Sequence, residues 1–325
     1  MVDRGPFLII VNPVSGQRRA LRMAEQVAQR IRECGACVEI RETTGKLSGQ
    51  EIAASACNHH SQRPACVVAC GGDGTIQEVA NALAPLKATM GDQCPLLGVA
   101  PAGRCNDFAT VLGIPRDPEA IADTLLEGAT RPIDLGRVTP TAGPRPSTDR
   151  RSAPAGRYFC TVATLGVDAQ VSSFVDRMRV PLRGTPAYVY GALRVLARYR
   201  PCHVHIEGDF GIIDRPVFLA STANTSMYGG AIPIVPQADP ADGLLDLCVI
   251  DTVSRLRAFS MLPIVMAGRH AHRAGVTFLR TRRLTIDTPA PAELWADGER
   301  IGQTPTTIDI APAAVQVIVP QGGGR

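Results

Sequence analysis

Three short segments carry the residues best suited to chemistry. Gly71-Gly72-Asp73-Gly74-Thr75 follows the apolar run Ala65–Cys70 and precedes a stretch of helical spacing. Glycines there allow a sharp turn and let a ligand approach the backbone closely. A helix start adds free N–H groups and a positive dipole end, which together favour phosphate. A carboxylate in such a loop repels phosphate, so Asp73 points to a metal ion or to a hydroxyl awaiting deprotonation. The competing reading is a structural turn with an incidental acid. Asn12-Pro13-Val14-Ser15-Gly16 and Pro101-Ala102-Gly103-Arg104-Cys105-Asn106-Asp107-Phe108 have the same setting, each between an apolar run and a helix-like stretch. Three such loops predict a ligand rich in phosphate. Later acids stand in Asp242-Gly243 and Asp297-Gly298-Glu299. Taken alone, both read as turns, because Asp-Gly is a common hairpin pair. Asp107 alone reads equally well as a helix cap.

The elements that must position these loops alternate in the first half. Phe7–Val11, Ala36–Ile40, Ala65–Cys70 and Leu96–Ala100 are short apolar runs of strand type. Between them, Gln17–Cys34 places Leu21, Ala24, Ala28 and Ile31 on one helical face. Ser48 opens a helix with Glu51 as its capping-box partner, Thr75–Ala84 is expected to stop at Pro85, and Asp117-Pro118 begins a helix ended by Gly128. Alternating strands and helices predict an α/β domain with a parallel sheet, whose ligands bind at the carboxyl ends of the strands. The second half is mainly β, with runs at Tyr158–Ala163, Val204–Ile206, Val217–Ser221, Leu244–Ile250, Arg283–Thr288 and Val315–Val319, and helices at Ala187–Arg200 and Thr252–Gly268. Domains are expected at 1–134 and 135–325, with the C-terminal end packing back on the first. Residues 139–156, rich in Pro, Ser, Thr and Gly, read as a long exposed loop.

Composition excludes several classes. With 45% apolar and 20% charged residues, the chain is an ordinary globular protein, and no apolar run approaches the ~20 residues of a spanning helix. The ten cysteines are expected to be reduced, and Cys34-Gly-Ala-Cys37 reads as a helix end turning into a strand. The net charge of +4 is uneven: residues 1–135 carry −2 and the remainder +6. Arg177, Arg179, Arg183, Arg194, Arg198 and Arg200 form one basic segment. Arg269, Arg273, Arg280, Arg282 and Arg283, with His270 and His272, form another. Such segments attract anionic lipid, although each reads equally as a solvated face. Nucleic acid is not expected, because only 4% of residues are aromatic. The histidines show no metal-binding spacing and are assigned to the surface.

In this order, Asn12-Pro13-x-Ser15-Gly16, Gly71-Gly72-Asp73-Gly74-Thr75 and Pro101-x-Gly103-x-x-Asn106-Asp107-Phe108-Ala109 resemble the motifs of the diacylglycerol kinase catalytic-domain family. The likeness continues through Gly166-Val167-Asp168-Ala169, Gly184-Thr185-Pro186-Ala187-Tyr188, Tyr228-Gly229-Gly230, Asp242-Gly243-Leu244-Leu245-Asp246 and Asp297-Gly298-Glu299. The Gly71–Thr75 loop alone is shared with NAD kinases; the last two motifs single out lipid kinases. The resemblance implies a nucleotide-binding α/β domain of the NAD kinase and phosphofructokinase type and a β-sandwich C-terminal domain. It implies ATP and Mg2+ as cofactors and transfer of the γ-phosphate to a lipid hydroxyl of diacylglycerol, ceramide or a related lipid. Nucleotide contacts carry over to Asn12, Ser15, Gly16, Gly71, Gly72, Asp73, Gly74, Thr75, Gln77, Gly103 and Arg104, joined by Thr44 or Thr43. Glu299 becomes the general base, and Asp73 and Asp107 help hold the catalytic magnesium. A second, structural magnesium is implied near Asp242, with backbone carbonyls from Asp239 and Leu244. The partners are a lipid substrate and an anionic membrane surface, with a homodimer left open, and the location is cytoplasmic with reversible membrane association.

Two positions depart from the family pattern. Arg104 stands where a threonine is usual, and Gln77 where an asparagine is. Arg104 either makes a charge-assisted phosphate contact or pairs with Asp73 or Asp107 and blocks the site. The rival functions are an NAD kinase-like small-molecule kinase and a catalytically silent nucleotide-binding regulator at the membrane.

Overall fold

The computed structural model describes residues 5–58, 63–141, 156–167, 169–171, 174, 185–197, 199–271 and 273–322. Asp168, Gly184, Arg177, Arg179, Arg183, Arg198, His59, His60, His272 and most of the 139–156 segment lie outside these residues. The chain divides into two compact units, Met1–Leu135 with Pro312–Arg325, and Gly136–Ala311.

The first unit is built on parallel strands β1 (Phe7–Val11), β2 (Val38–Glu42), β3 (Cys66–Gly71) and β4 (Leu96–Pro101), in the order β2-β1-β3-β4. Phe7 lies level with both Val38 and Cys66, and Cys66 with Leu96, so the strands end together. β1 and β3 are buried along their whole length, which is why they read as unbroken apolar runs. Helices α1 (Arg19–Glu33) and α5 (Pro118–Glu127) pack against each other. Ala24, Ala28 and Ile31 from α1 and Ile121 and Leu125 from α5 join Phe7, Ile9 and Val68 in one core. Helices α2 (Gly49–Asn58) and α3 (Asp73–Met90) pack together likewise. The last strand of the chain, β15 (Thr306–Val319), returns to this unit and places Val317 parallel to Leu97 of β4.

Local signals explain most of the helix ends. Ser48 and Glu51 form the reciprocal capping box, with Ser48 N–H donating to Glu51 Oε2 at 2.8 Å and Glu51 N–H to Ser48 Oγ at 3.3 Å. Asp117 caps α5 by accepting from Ala120 N–H at 3.1 Å. The expected stop at Pro85 is corrected, because α3 continues to Met90. Pro85 lies on the exposed face, where a missing N–H removes one helical hydrogen bond. Ile76, Val79, Ala80 and Leu83 on the opposite face are buried and hold the helix in place. The helix expected after the third loop is the short α4 (Asp107–Val111).

The second unit is antiparallel. It contains β6 (Arg157–Phe159), β7 (Val162–Gly166), β8 (Cys202–Gly208), β9 (Gly211–Ala223), β10 (Leu245–Asp251), β11 (Val276–Thr281), β12 (Arg283–Asp287), β13 (Glu293–Ala296) and β14 (Glu299–Gln303). One path of pairing runs β14-β13-β7-β9-β8-β12, and β9 also pairs with β10, which pairs with β11. Alternation along β9 and β10 serves two cores. Val217, Leu245, Leu247 and Val249 face one with Val204, Leu284 and Ile308. Leu219, Ala223, Cys248 and Ile250 face another with Leu196 of α6 (Thr185–Leu196) and Ala258 and Met261 of α7 (Arg255–Met266). His270 is wholly buried, with Nε2 2.9 Å from Ile234 O, which corrects its assignment to the surface. All ten cysteines are free thiols.

Helix α5 packs closely on the sheet at Gly98 of β4, where a β-carbon would meet Leu125 Cδ2 at 2.6 Å and Val68 Cγ2 at 2.9 Å. Gly98→Val should therefore destabilise the chain by about 1–3 kcal/mol, read as a lower urea midpoint. An unchanged midpoint would show that α5 yields freely.

Candidate active site

Three loops leave the carboxyl ends of β1, β3 and β4 and meet backbone to backbone. Asn12 N–H donates to Cys70 O at 3.1 Å, which ties the first loop to the end of β3. Ala102 N–H and Gly103 N–H donate to Gly71 O at 2.8 and 2.9 Å, which ties the third loop to the same place. Side chains are excluded at the joins. A β-carbon on Gly16 would lie 2.1 Å from Ala102 O, and one on Gly103 would lie 2.3 Å from Gly72 Cα. Gly71 is closed off by Thr75 Oγ1, 2.3 Å from where a β-carbon would stand. Gly72 is the N-cap of α3 in extended conformation, so Asp73 and Gly74 form the first turn of that helix.

Asp73 braces the third loop. Its Oδ1 accepts from Phe108 N–H at 3.1 Å. Burial and the nearby charge of Asp107 push its pKa up, while the backbone N–H groups of Phe108, Asp107 and Asn106 oppose them. Asp107 is itself buried, at the start of α4. Asn106 adopts a left-handed conformation with φ 57°. Its amide grips Gly103 at both ends, accepting from the N–H at 2.9 Å and donating to the O at 3.0 Å.

The remaining nucleotide-contact candidates take different positions. Asn12 Oδ1 accepts from Val14 N–H at 3.2 Å, and Ser15 N–H donates to Asn12 O at 3.0 Å. Thr44 Oγ1 accepts from Leu47 N–H at 3.0 Å and closes an exposed turn, whereas Thr43 N–H donates to Val11 O at 2.9 Å at the end of β1. Gln77 is wholly buried within α3, and neither amide atom has a hydrogen-bond partner among the described residues. Arg104 is exposed beside Cys105, and no hydrogen bond or ion pair engages its guanidinium among the described residues. Burial pushes the Cys105 thiol up to about 11, which keeps it protonated and unreactive near neutrality.

In the second unit, Asp297-Gly298 is the turn between β13 and β14, with φ of 53° and 87°. That pair of left-handed residues is the type I′ hairpin geometry. The Asp297 side chain points inward and accepts from Cys160 N–H at 2.7 Å and Thr161 N–H at 2.9 Å, and the Thr161 hydroxyl donates to it as well. Asn224 supports the same segment, with Nδ2 donating to Cys160 O at 2.9 Å. Glu299 follows the turn, and its carboxylate pairs with Arg157 at 3.2 Å. Arg157 was missed because it stands at the end of the low-complexity stretch, 142 positions from Glu299, with no spacing signal.

The two implied magnesium sites fare differently. Asp73 and Asp107 are carboxylates close enough for one to raise the pKa of the other, an arrangement that a cation relieves. At the second implied site the side chains of both aspartates are engaged within the chain. Asp239 Oδ1 accepts from Ala241 N–H at 3.1 Å, and Asp242 Oδ1 accepts from Leu244 N–H at 3.0 Å. Asp242 Oδ2 pairs with the Arg280 guanidinium, whose Nε lies 3.4 Å from the buried Asp246. No group of three or more metal-ligating side chains occurs among the described residues.

Sequence comparison matches residues 6–138 with the diacylglycerol kinase catalytic domain and residues 161–319 with the YegS C-terminal NAD kinase beta sandwich-like domain. Among similar proteins, a diacylglycerol kinase of Mycobacterium tuberculosis strain CDC 1551 / Oshkosh is 31% identical over 98% of this chain and 96% of its own. One of Bacillus subtilis strain 168 is 29% identical over 96% of each. A crystal structure of a diacylglycerol kinase from Bacillus anthracis strain Sterne superposes over 96% of each chain with a TM-score of 0.68 at 19% identity, a likeness of fold.

Asp246 is 1% exposed, and its carboxyl is pushed up by burial against the pull of Arg280. Arg280→Gln should cost about 1–3 kcal/mol by leaving that carboxyl uncompensated. Thermal melting of the variant checks this, and an unaltered midpoint would mean that Arg280 is not the counter-charge.

Proposed function

This chain belongs to the diacylglycerol kinase catalytic-domain family, and we propose that it transfers the γ-phosphoryl group of ATP to the hydroxyl of a lipid, diacylglycerol being the first candidate. The observation that carries this reading is the meeting of three glycine loops at the ends of parallel strands, with backbone packed on backbone and acids at the rim. Such a surface presents N–H groups at close range to phosphate oxygens. In this reading Arg104 approaches the phosphates as a charge-assisted donor, which suits its exposure and its lack of a partner among the described residues. Asp73 and Asp107 hold Mg2+, which when bound neutralises phosphate charge.

The acceptor hydroxyl gives its proton to the Glu299 carboxylate as its oxygen bonds to the γ-phosphorus. The bond from that phosphorus to the bridging oxygen breaks, and ADP leaves with the electron pair. Positioning and charge stabilisation supply most of the catalysis in reactions of this kind. No helix among the described residues is long and apolar enough to cross a membrane; in this reading the lipid is met at a membrane surface. Arg269 and Arg273 remain as basic docking residues, each worth about 1 kcal/mol near anionic lipid; Arg280 is engaged with Asp242.

Incubation with labelled ATP and a total lipid extract should place label in phosphorylated diacylglycerol. Glu299→Gln should reduce transfer at least ~100-fold, and Arg104→Thr should weaken ATP binding about tenfold or more. Label passing only to NAD would identify a small-molecule kinase, and ATP binding without any transfer would identify a regulator.

A further inference from the structure

We propose that Arg157 is the positioning residue for Glu299, holding the carboxylate in the one orientation from which it takes the acceptor proton. This rests on the assignment of Glu299 as the base. The guanidinium spans two acceptors at the start of β14. Nη2 donates to Glu299 Oε2 and Nη1 to Arg300 O, both at 3.2 Å. Rotation of the Glu299 side chain away from Arg157 breaks the first bond, and a shift of the strand start breaks the second. The carboxylate is therefore fixed relative to its own backbone.

The support beneath this pair is rigid. Arg157 begins β6, and the residues that end the β6–β7 connection, Cys160 and Thr161, donate their N–H groups to Asp297. The hairpin that carries Glu299 is thus bound to the segment that carries Arg157 at two points, one buried and one at the rim. With Oε2 engaged by Arg157, Oε1 has no hydrogen bond among the described residues and is the oxygen presented to a hydroxyl.

Stability does not account for the pair. Both side chains are 44% exposed, and exposed ion pairs contribute little to folding. An arginine is nevertheless well suited to the place. Its planar fork holds a carboxylate and a carbonyl in fixed relative positions, whereas lysine carries its three rotatable donors on one nitrogen at the end of a flexible stem and fixes neither orientation. Loss of Arg157 should therefore register in turnover and not in melting.

The test uses Arg157→Gln, Arg157→Lys, Glu299→Gln and the Arg157→Gln/Glu299→Gln double variant of the full chain. Label transfer from ATP into a total lipid extract gives kcat and the KM for ATP, and each variant is also melted. Arg157→Gln should lower kcat about ten- to hundredfold while the KM for ATP and the melting temperature stay unchanged. Arg157→Lys should fall between it and the unmodified chain. In the Glu299→Gln background, Arg157→Gln should cause no further loss, because both act on one step. Unaltered kcat in Arg157→Gln, a rise confined to KM, or an additive loss in the double variant overturns the proposal. Unaltered kcat in Glu299→Gln overturns the base assignment beneath it instead.

Discussion

Gly72 and Gly103 approach so closely that no side chain fits between their loops; a β-carbon on Gly103 would lie 2.3 Å from Gly72 Cα. The strands behind them end level, so the loops emerge at one edge and must share that space. Crowding removes side chains from the surface and leaves N–H groups as its main polar feature. The same crowding determines where acids can stand. Asp73 survives there because it faces along the third loop, where the N–H groups of residues 106–108 offset part of the cost of its burial.

A similar device recurs in the second unit. Asp297 also stands in a glycine-bearing turn, is also buried, and also spends its carboxylate on backbone N–H groups of a neighbouring segment. Each aspartate has a second acid beside it. Asp107 follows within the loop that Asp73 braces, and Glu299 follows two residues after Asp297. In the second pair Asp297 fixes the turn and Glu299 is the acid assigned to chemistry, whereas in the first Asp73 fixes the loop and shares the proposed metal ion with Asp107. Glycine serves the two places differently. In the first it admits another backbone, and in the second it supplies the left-handed half of a type I′ turn.

The legible parts of the sequence were those governed by local rules. Buried parallel strands announced themselves as unbroken apolar runs, α1 by its spacing, and α2 and α5 by their caps. Pro85 misled because its effect depends on which helix face it occupies, and that is decided by packing. The strand β14 and the long β5 (Ala129–Pro140) were obscured by polar residues on their exposed faces, and β11 and the four-residue β13 gave no alternation to read. The first three loop motifs were visible because each follows an apolar run and precedes a helix-like stretch. The partners of the later acids were not, since Arg157 and Arg280 act across 142 and 38 positions respectively. Sequence distance carries no trace of an ion pair formed between strands.

The same limit applies to charge. Formal counts assign +6 to residues 136–325, yet several of those cations are committed inside the unit. Arg137 is paired with Asp309 at 2.6 Å, Arg215 with Asp251 at 2.9 Å, and Arg300 with Glu293 at 3.3 Å. Arg280 is turned towards Asp242 and Asp246. A cation already paired contributes little field beyond a Debye length, about 8 Å at physiological salt. On the proposed reading, attraction of this unit to an anionic surface is therefore set by the residues without carboxylate partners and not by the net count. A stretch such as Arg280, Arg282 and Arg283 that looks uniformly basic in sequence divides, on folding, into a cation that holds the unit together and others left to face solvent.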